Sequence, residues 1–531
     1  MGSKKLQVWL PLLFSIVMVV GMIIGYQLRD KAGGNNFLSS SKKSSVQEVI
    51  ELIKNKYVDP VKVDSINQSV VDNLLEKLDP HSVFIPSKYL KEVNEDLMGN
   101  FQGIGIEFQF FNDTLNVVNI VKDGPSDKAG IEIGDQIIKA NDTVSLTGKS
   151  ISTEEIRKHL RGISGTTVKL SLLRNGKAKQ IVVTRGNIPV PTIDAAYMLS
   201  NDIGYIKINK FGDRTYEEFM QSLEKNLQAG MKSLVLDLRG NGGGLMSEAT
   251  AIADEFLDND KLIVYTEGNK SPRYDYKCRK EGLFEKGKIA VLVDETSASA
   301  SEVLSGALQD WDRATIIGRR TFGKGLVQQQ YPLSDGSALR LTVARYFTPL
   351  GRNIQKPYTN KSKKDYENEL LDRFHHNELA VADSVAHDTK SKTYTTPSGR
   401  KVFGGGGITP DIFVGIDTVK KTVAFLQLLN TNLLNNFIYK YYVSNRNQLD
   451  KVKNTDELNL LFSNEANQWS TFLSFAKQQK SDLNSITLNE KNYILQQMKA
   501  LLARQIWRNE GYFKMYNLQD STVKKAITVL K

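Results

Sequence analysis

Lys288-Ile-Ala-Val-Leu-Val293, running into Thr296-Ser-Ala-Ser299-Ala-Ser-Glu302, is the stretch on which the reading of this chain turns. The apolar run reads as a buried strand. Val303, Leu304, Ala307, Leu308 and Trp311 follow at helical spacing, so Ser299 falls at a strand-to-helix turn. Such a turn exposes a hydroxyl, and the unpaired N–H groups of a helix start favour negative charge beside it. That suits a nucleophile, although by itself Ser-Ala-Ser-Ala-Ser is also an ordinary helix-capping cluster.

A serine nucleophile needs a base to take its proton. Histidine is the usual one, but none of the five histidines (His81, His159, His375, His376, His387) falls in the glycine-rich segments where the other candidate groups gather. A lysine serves if desolvation leaves its amine neutral. Lys324 fits, flanked by Phe322 and Leu326, with Gly323 and Gly325 allowing close backbone approach. The surrounding Gly318-Arg-Arg-Thr-Phe-Gly323-Lys324-Gly325 nearly spells a phosphate-binding loop. Gly325 stands where that loop needs Ser or Thr, and Leu326-Val-Gln-Gln-Gln-Tyr331 is not an apolar-faced helix, which argues against nucleotide binding. Upstream, the strand-like Ser233-Leu-Val-Leu-Asp-Leu238 runs into Arg239-Gly-Asn-Gly-Gly-Gly244, whose glycines leave backbone N–H groups free to face a ligand. Gly243, with Gly244, and Ala300 are the candidate oxyanion donors.

Asp237-Leu-Arg-Gly-Asn-Gly-Gly-Gly-Leu245, Thr296-Ser-Ala-Ser-Ala-Ser-Glu302, Gly306-Ala-Leu-Gln-Asp310, Phe322-Gly-Lys-Gly-Leu-Val-Gln328 and Thr348-Pro-Leu-Gly-Arg-Asn-Ile-Gln355 together resemble the carboxyl-terminal processing peptidases, the S41 serine peptidases. The resemblance implies an α+β fold with a mixed α/β, crotonase-like peptidase core. It implies a Ser299/Lys324 dyad, Gln328 orienting the lysine, a supporting role for Asp310, and no metal or cofactor. Where the family has Asn-Pro-Gly-Gly this chain has Asn241-Gly242-Gly243-Gly244.

Gln102-Gly-Ile-Gly-Ile-Glu107, Gly124-Pro-Ser-Asp-Lys-Ala-Gly-Ile131 and Gly134-Asp-Gln-Ile-Ile138 resemble a PDZ domain. Strands are expected at 105–111, 115–120, 136–140, 167–173 and 179–184, with short helices at 125–130 and 151–160. The resemblance implies peptide capture by strand addition, the tail carboxylate held at Gly103, Ile104, Gly105 and Ile106. The two isoleucines suggest an apolar pocket and nonpolar C-termini. Arg161, a fixed charge in a loop between PDZ elements, is a candidate for reporting tail binding to the core; the alternative is a solvated loop arginine.

Between Lys5 and Arg29 there is no charged residue, and Val8 to Leu28 matches the roughly 20 residues that cross a bilayer. Lys4 and Lys5 precede it, which favours a cytoplasmic N-terminus and export of the rest. The apolar run exceeds a signal peptide's usual core and no small-x-small site follows Tyr26-Gln-Leu-Arg29, so an uncleaved anchor is expected in a bacterial inner membrane, with the catalytic part on the periplasmic side. Cys278 is the single cysteine, which rules out an intramolecular disulfide. The net charge is +11, and residues 416–531 hold sixteen Lys/Arg against nine Asp/Glu, scattered as on a solvated helical surface.

The chain therefore divides into an anchor (1–30), a linker and helical region (31–97), a PDZ domain (98–186), a peptidase core (187–415) with an insertion at about 356–403, and a helical C-terminal extension (416–531). In the helical region Val46, Val49, Ile50 and Ile53, then Val70, Val71, Leu74, Leu75 and Leu78, are expected to pack together, and His81 in Leu78-Asp-Pro-His-Ser82 is read as structural. The insertion reads as an exposed helix and loop over the cleft; His375 and His376 lack a third ligand. The extension shows helical spacing in Val423, Leu426, Leu429 and Leu433, then Phe472, Phe475, Ile494, Met498, Leu501 and Leu502, and a homodimer is plausible. The expected activity is a serine endopeptidase acting on proteins with unstructured nonpolar C-termini, with no nucleic-acid partner. The rival is a catalytically inactive PDZ scaffold that binds protein C-termini.

Overall fold

The computed structural model describes residues 14–23, 45–111, 113–148, 151–359, 362–381, 392–416 and 421–531. The anchor expected over Val8 to Leu28 lies largely outside these; residues 14–23 are helical with exposed side chains, and no described helix is long and apolar enough to cross a membrane.

Residues up to Leu74 form one unit and Leu75–Lys531 another. In the first, the helix Ser45–Lys56 buries none of its side chains, and Val46, Val49 and Leu52 are all more than half exposed. Of the expected face, Ile50 and Ile53 are half-buried while Val46 and Val49 are exposed.

The second unit is built on a six-stranded sheet in the order Ile193–Met198, Ile203–Ile208, Ser233–Asp237, Lys288–Val293, Thr315–Gly318, Ile412–Phe413. The first pair is antiparallel and the rest parallel, with Leu236 opposite Val291 and Val291 opposite Ile316. Continuous apolar runs such as Ile289 to Val293 are what a strand buried on both faces requires. One face carries the helices Thr215–Gln228, Met246–Asp254 and Ala300–Asp310, closing a core around Leu234, Leu236, Val291, Val293 and Leu304. The other face, with Tyr205, Val235, Ala290 and Leu292, is covered by the last helix, Ser521–Leu530, through Val523, Ala526 and Leu530. The extension thus completes the peptidase layers instead of standing beside them.

A second sheet orders Val83–Ile85, Ala338–Phe347, Leu262–Gly268 and Ser271–Lys277, with Leu326–Pro332 also paired to Ala338–Phe347. The PDZ region forms its own sheet, Ile106–Phe111, Thr114–Ile120, Gln136–Ala140, Thr167–Arg174 and Lys177–Thr184, with the helix Thr153–Leu160 started by a Ser152/Glu155 capping box. The expected strands are all present, and two further short pairings accompany them: Val144–Ser145 on Gln136–Ala140, and Asn100–Gly103 on Gly186–Pro189. Strands this short lack the alternation by which sequence reveals a strand.

The rest of the extension is helical, around Phe437, Leu458, Phe472, Ile494 and Met498. Its longest helix, Leu488–Tyr516, breaks at Trp507 and Arg508, where Arg508 takes φ 59° and ψ −151°. At the break the Arg508 guanidinium donates to the carbonyl of Ile120 in the PDZ sheet, and Asn509 donates to Asp194 at 2.7 Å in the peptidase core.

Candidate active site

Ser299 is the N-cap of the helix Ala300–Asp310 and holds φ 56°, ψ −112°, a conformation that a non-glycine residue adopts only under constraint. The constraint is visible on both sides of its peptide unit. Its N–H donates to Glu302 Oε2 at 2.8 Å, and its carbonyl accepts from the Tyr346 hydroxyl at 3.1 Å.

Lys324 precedes the strand Leu326–Pro332 of the second sheet, yet the same two side chains hold it. Its N–H donates to Glu302 Oε2 at 2.9 Å, and its carbonyl faces the same Tyr346 hydroxyl. Glu302, fully buried, also receives Gly323 N–H at 2.8 Å and Thr321 Oγ1 at 2.5 Å. Burial pushes its carboxyl up to about 7, opposed by these four donors, which leave an added proton without an acceptor. One carboxylate and one phenol thus bind the turn bearing Ser299 to the turn bearing Lys324.

The Lys324 amine donates to Gln328 Oε1 at 2.9 Å, and Gln328 Nε2 donates to the His81 carbonyl at 2.6 Å. No hydrogen bond joins Ser299 Oγ to Lys324 Nζ. Burial lowers the affinity of the amine for its proton and the Arg340 charge lowers it further, against Glu302 and Asp79, so the shift is towards the neutral form a base requires. The His81 ring bonds the Tyr366 hydroxyl at 2.9 Å; burial and the Lys324 charge hold it down at about 4, hence neutral. His81 contributes its backbone, which fits the structural reading while bringing the Leu78–Ser82 turn to the lysine. Tyr366 comes from the insertion helix Lys363–His375 and lies edge-on to Phe322 at 6.2 Å. Among the described residues no group of His, Cys, Asp or Glu is arranged to hold a metal.

The glycine loop lies against the serine. A Cβ on Gly243, which has φ 100°, would sit 2.8 Å from Ser299 Cβ and 3.1 Å from the Ala300 nitrogen, so only glycine fits. The Ala300 and Gly244 N–H groups donate to no described group. Gly243, expected to be a free donor, instead gives its N–H to Asn241 Oδ1 at 2.9 Å. Asp310 does not reach the dyad. It closes the far end of the helix, about 15 Å from Ser299 at the α-helical rise, where it accepts from Leu350 N–H at 2.9 Å and pairs with buried Arg352 at 2.6 Å.

Of the residues outside the expected set, Glu302 had a signal: Ser299-x-x-Glu302 is the spacing of a capping box. Tyr346 and the His81 carbonyl arrive from distant chain and had none.

In the PDZ region, Ile106–Phe111 is an edge strand of its sheet, and a cavity of about 380 Å³ lies along it, lined by Ile104, Ile106, Phe108, Leu160, Arg157 and Arg161. The Ile104 and Gly105 N–H groups donate to no described group. The Arg161 guanidinium stacks 4.7 Å from the Phe101 ring and faces Glu92 and Glu95 of the helix Ser87–Met98 at 3.7 and 3.8 Å. A second cavity, about 740 Å³, shares Phe101, Arg157 and Arg161 with the first and extends to Ile85 and Arg340.

The sequence profile of Peptidase family S41 matches residues 202–365, that of the PDZ domain residues 102–184, and that of a family of unknown function, DUF8443, residues 424–508. A probable CtpA-like serine protease of Staphylococcus haemolyticus is 34% identical over 367 residues, covering 66% of this chain and 73% of that protein. Its counterpart in Staphylococcus aureus strain N315 is 34% identical over 346 residues, 65% and 68% of the two chains. Among solved structures, the photosystem II D1 C-terminal processing protease is 26% identical, covering 70% of this chain and 86% of that one, with a TM-score of 0.35.

Proposed function

This chain belongs to the S41 serine peptidases that carry a PDZ domain, the family of the CtpA-like C-terminal processing proteases, and from that premise we propose that Ser299 is its nucleophile and Lys324 its base, acting on proteins whose nonpolar C-terminal tails the PDZ domain captures. The observation that carries the reading is the shared clamp: Glu302 Oε2 holds the N–H of both residues, while burial drives the lysine amine towards neutrality.

Ser299 Oγ attacks the scissile carbonyl carbon as its proton passes to Lys324 Nζ, and the carbonyl π pair moves onto oxygen. The free Ala300 N–H faces that charge; the second donor is Gly244, or Gly243 once released from Asn241. The Lys324 ammonium then protonates the leaving amine as the C–N bond breaks. Water, deprotonated by the regenerated amine, cleaves the acyl ester and frees the serine. Gln328, fixed by the His81 carbonyl, keeps the lysine aimed through both halves.

A tail adds to the open edge of Ile106–Phe111, its carboxylate on the Ile104 and Gly105 amides and its last side chains against Ile106 and Phe108. The chain upstream follows the adjoining cavity past Phe101 and Arg161 towards Arg340, the residue whose charge acts on Lys324. Arg161, between Glu92 and Glu95, reports that occupancy. The apolar run from Val8 to Leu28 anchors the enzyme in a bacterial inner membrane with the catalytic part on the exported side.

The test compares the C-termini of exported proteins in cells carrying the wild type, Ser299→Ala or Lys324→Ala. Trimmed ends are expected in the wild type alone. Identical termini in all three would sink the peptidase reading in favour of a tail-binding scaffold.

A further inference from the structure

The start of the glycine loop is fixed from a part of the chain remote from the catalytic motifs. Arg239 is the last residue before Gly240–Gly244 that carries a long side chain. Its guanidinium is shared between two carboxylates: Nε and Nη2 donate to Asp237 at 3.0 and 2.7 Å, and Nη1 donates to Asp520 Oδ2 at 2.9 Å. Its carbonyl accepts from Lys207 Nζ at 2.7 Å. Two cations and two anions balance in a nearly closed site; the Asp520 side chain is 6% exposed and that of Arg239 16%.

Beyond Arg239 the loop is also held through its backbone: Gly240 N–H donates to Asp294 at 3.2 Å and the Gly243 carbonyl accepts from Phe211 N–H at 3.0 Å. Gly240, Gly242, Gly243 and Gly244 offer no side chains, so the side-chain grip on the loop comes from Arg239 at its start and from Asn241 within it, whose amide donates to the Ile208 carbonyl at 3.0 Å. Asn241 couples it to the nucleophile: its carbonyl accepts from Ala298 N–H at 3.0 Å and from Ser301 Oγ at 2.9 Å, on either side of Ser299. A displacement at Arg239 therefore passes through Asn241 to the serine and to the donors around it.

We propose that Asp520 is a positioning residue of the peptidase, which holds the Gly240–Gly244 loop in register with Ser299 by gripping Arg239. The proposal rests on Ser299 being the nucleophile. It gives the C-terminal extension a part in the active site, because Asp520 opens the helix Ser521–Leu530 that lies across the central sheet. Its two oxygens divide the work. Oδ1 accepts from Val523 N–H at 2.8 Å and caps the helix, while Oδ2 takes the arginine. Asparagine caps a helix as well as aspartate does but lacks the charge, so Asp520→Asn separates the two tasks.

The experiment uses the full chain, as wild type, Asp520→Asn and Asp520→Glu. Hydrogen exchange of the segment 239–245 is followed alongside kcat, KM and the melting transition. Losing a single oxyanion donor costs about a hundredfold or more in kcat. A displaced loop is therefore expected to lower kcat at least tenfold in Asp520→Asn, with KM within about twofold and the melting transition retained. Exchange of 239–245 should rise in the same variant. Asp520→Glu, which keeps the charge, should stay within about threefold of wild-type kcat. Unchanged exchange in Asp520→Asn overturns the proposal, as does faster exchange with unchanged kcat, or a glutamate variant as impaired as the asparagine one. A wild type without peptidase activity sinks the function reading alone, and the exchange measurement then decides whether Asp520 orders the loop.

Discussion

A lysine acts as a base only if the pH at which it loses its proton is brought down, and Lys324 is placed between opposing influences. Burial and the Arg340 charge favour the neutral amine, whereas Glu302 and Asp79 favour the ammonium. On the proposed mechanism, in which the neutral amine takes the serine proton, activity rises with pH through the lysine transition. Removing the positive charge of Arg340 makes the proton harder to lose. Arg340→Gln should therefore move the acid limb of kcat/KM to higher pH while leaving the plateau reachable, as a pH-rate profile would measure. A limb that stays in place would exclude Arg340 from tuning the base. Ser299, Lys324 and the glycine loop were singled out from short local patterns of glycine, serine and apolar spacing, whereas Gln328 came only from the family resemblance, and the structure brings its amide to the lysine amine at 2.9 Å. The commitment of Gly243 to Asn241, the remoteness of Asp310 and the second anchor supplied by Tyr346 were not legible, since each depends on which distant backbone groups the fold brings together.

At the level of elements, the break in Leu488–Tyr516 ties the extension to both the PDZ sheet and the core. Arg508 carries a backbone strain of about 1 to 3 kcal/mol in a region where glycine sits comfortably, and what it gains is the bond to the Ile120 carbonyl. Arg508→Gly relieves the strain and removes the bond. Hydrogen exchange should then show a less protected PDZ sheet around Ile106 and Ile120 with undiminished protection of the flanking helix. Loss of protection in the helix itself would mean that the arginine, and not the backbone geometry, sustains the break. The PDZ strands were readable from alternation and turn residues. This joint was not, because a helix interrupted within an otherwise helical stretch leaves its apolar spacing almost intact.

Across the whole molecule, the central sheet is covered on one face by helices that follow its own strands and on the other by the helix at residues 521–530. A variant ending at residue 512 would bare Tyr205, Val235, Ala290 and Leu292, an apolar surface on the scale that drives aggregation. Such a truncation should yield insoluble protein or a species that binds a hydrophobic dye, even though every residue of the dyad remains; a soluble, active product would mean the second face needs no cover. The sequence reading placed residues 521–530 in an appended helical region, its named apolar spacing ending at Leu502, and an apolar stripe does not say which surface it will meet.

The contact between Asn517 and Tyr197, 2.8 Å long, closes over 320 residues of chain. At a synthesis rate of about 5 to 20 residues per second, the strand carrying Tyr197 waits on the order of 15 to 65 s for its partner to be made. During that interval the Tyr197 hydroxyl lacks its Asn517 partner, and the sheet face around Tyr205, Val235, Ala290 and Leu292 lacks the helix that covers it, so the order of synthesis leaves an apolar face open well after the strands that form it are made.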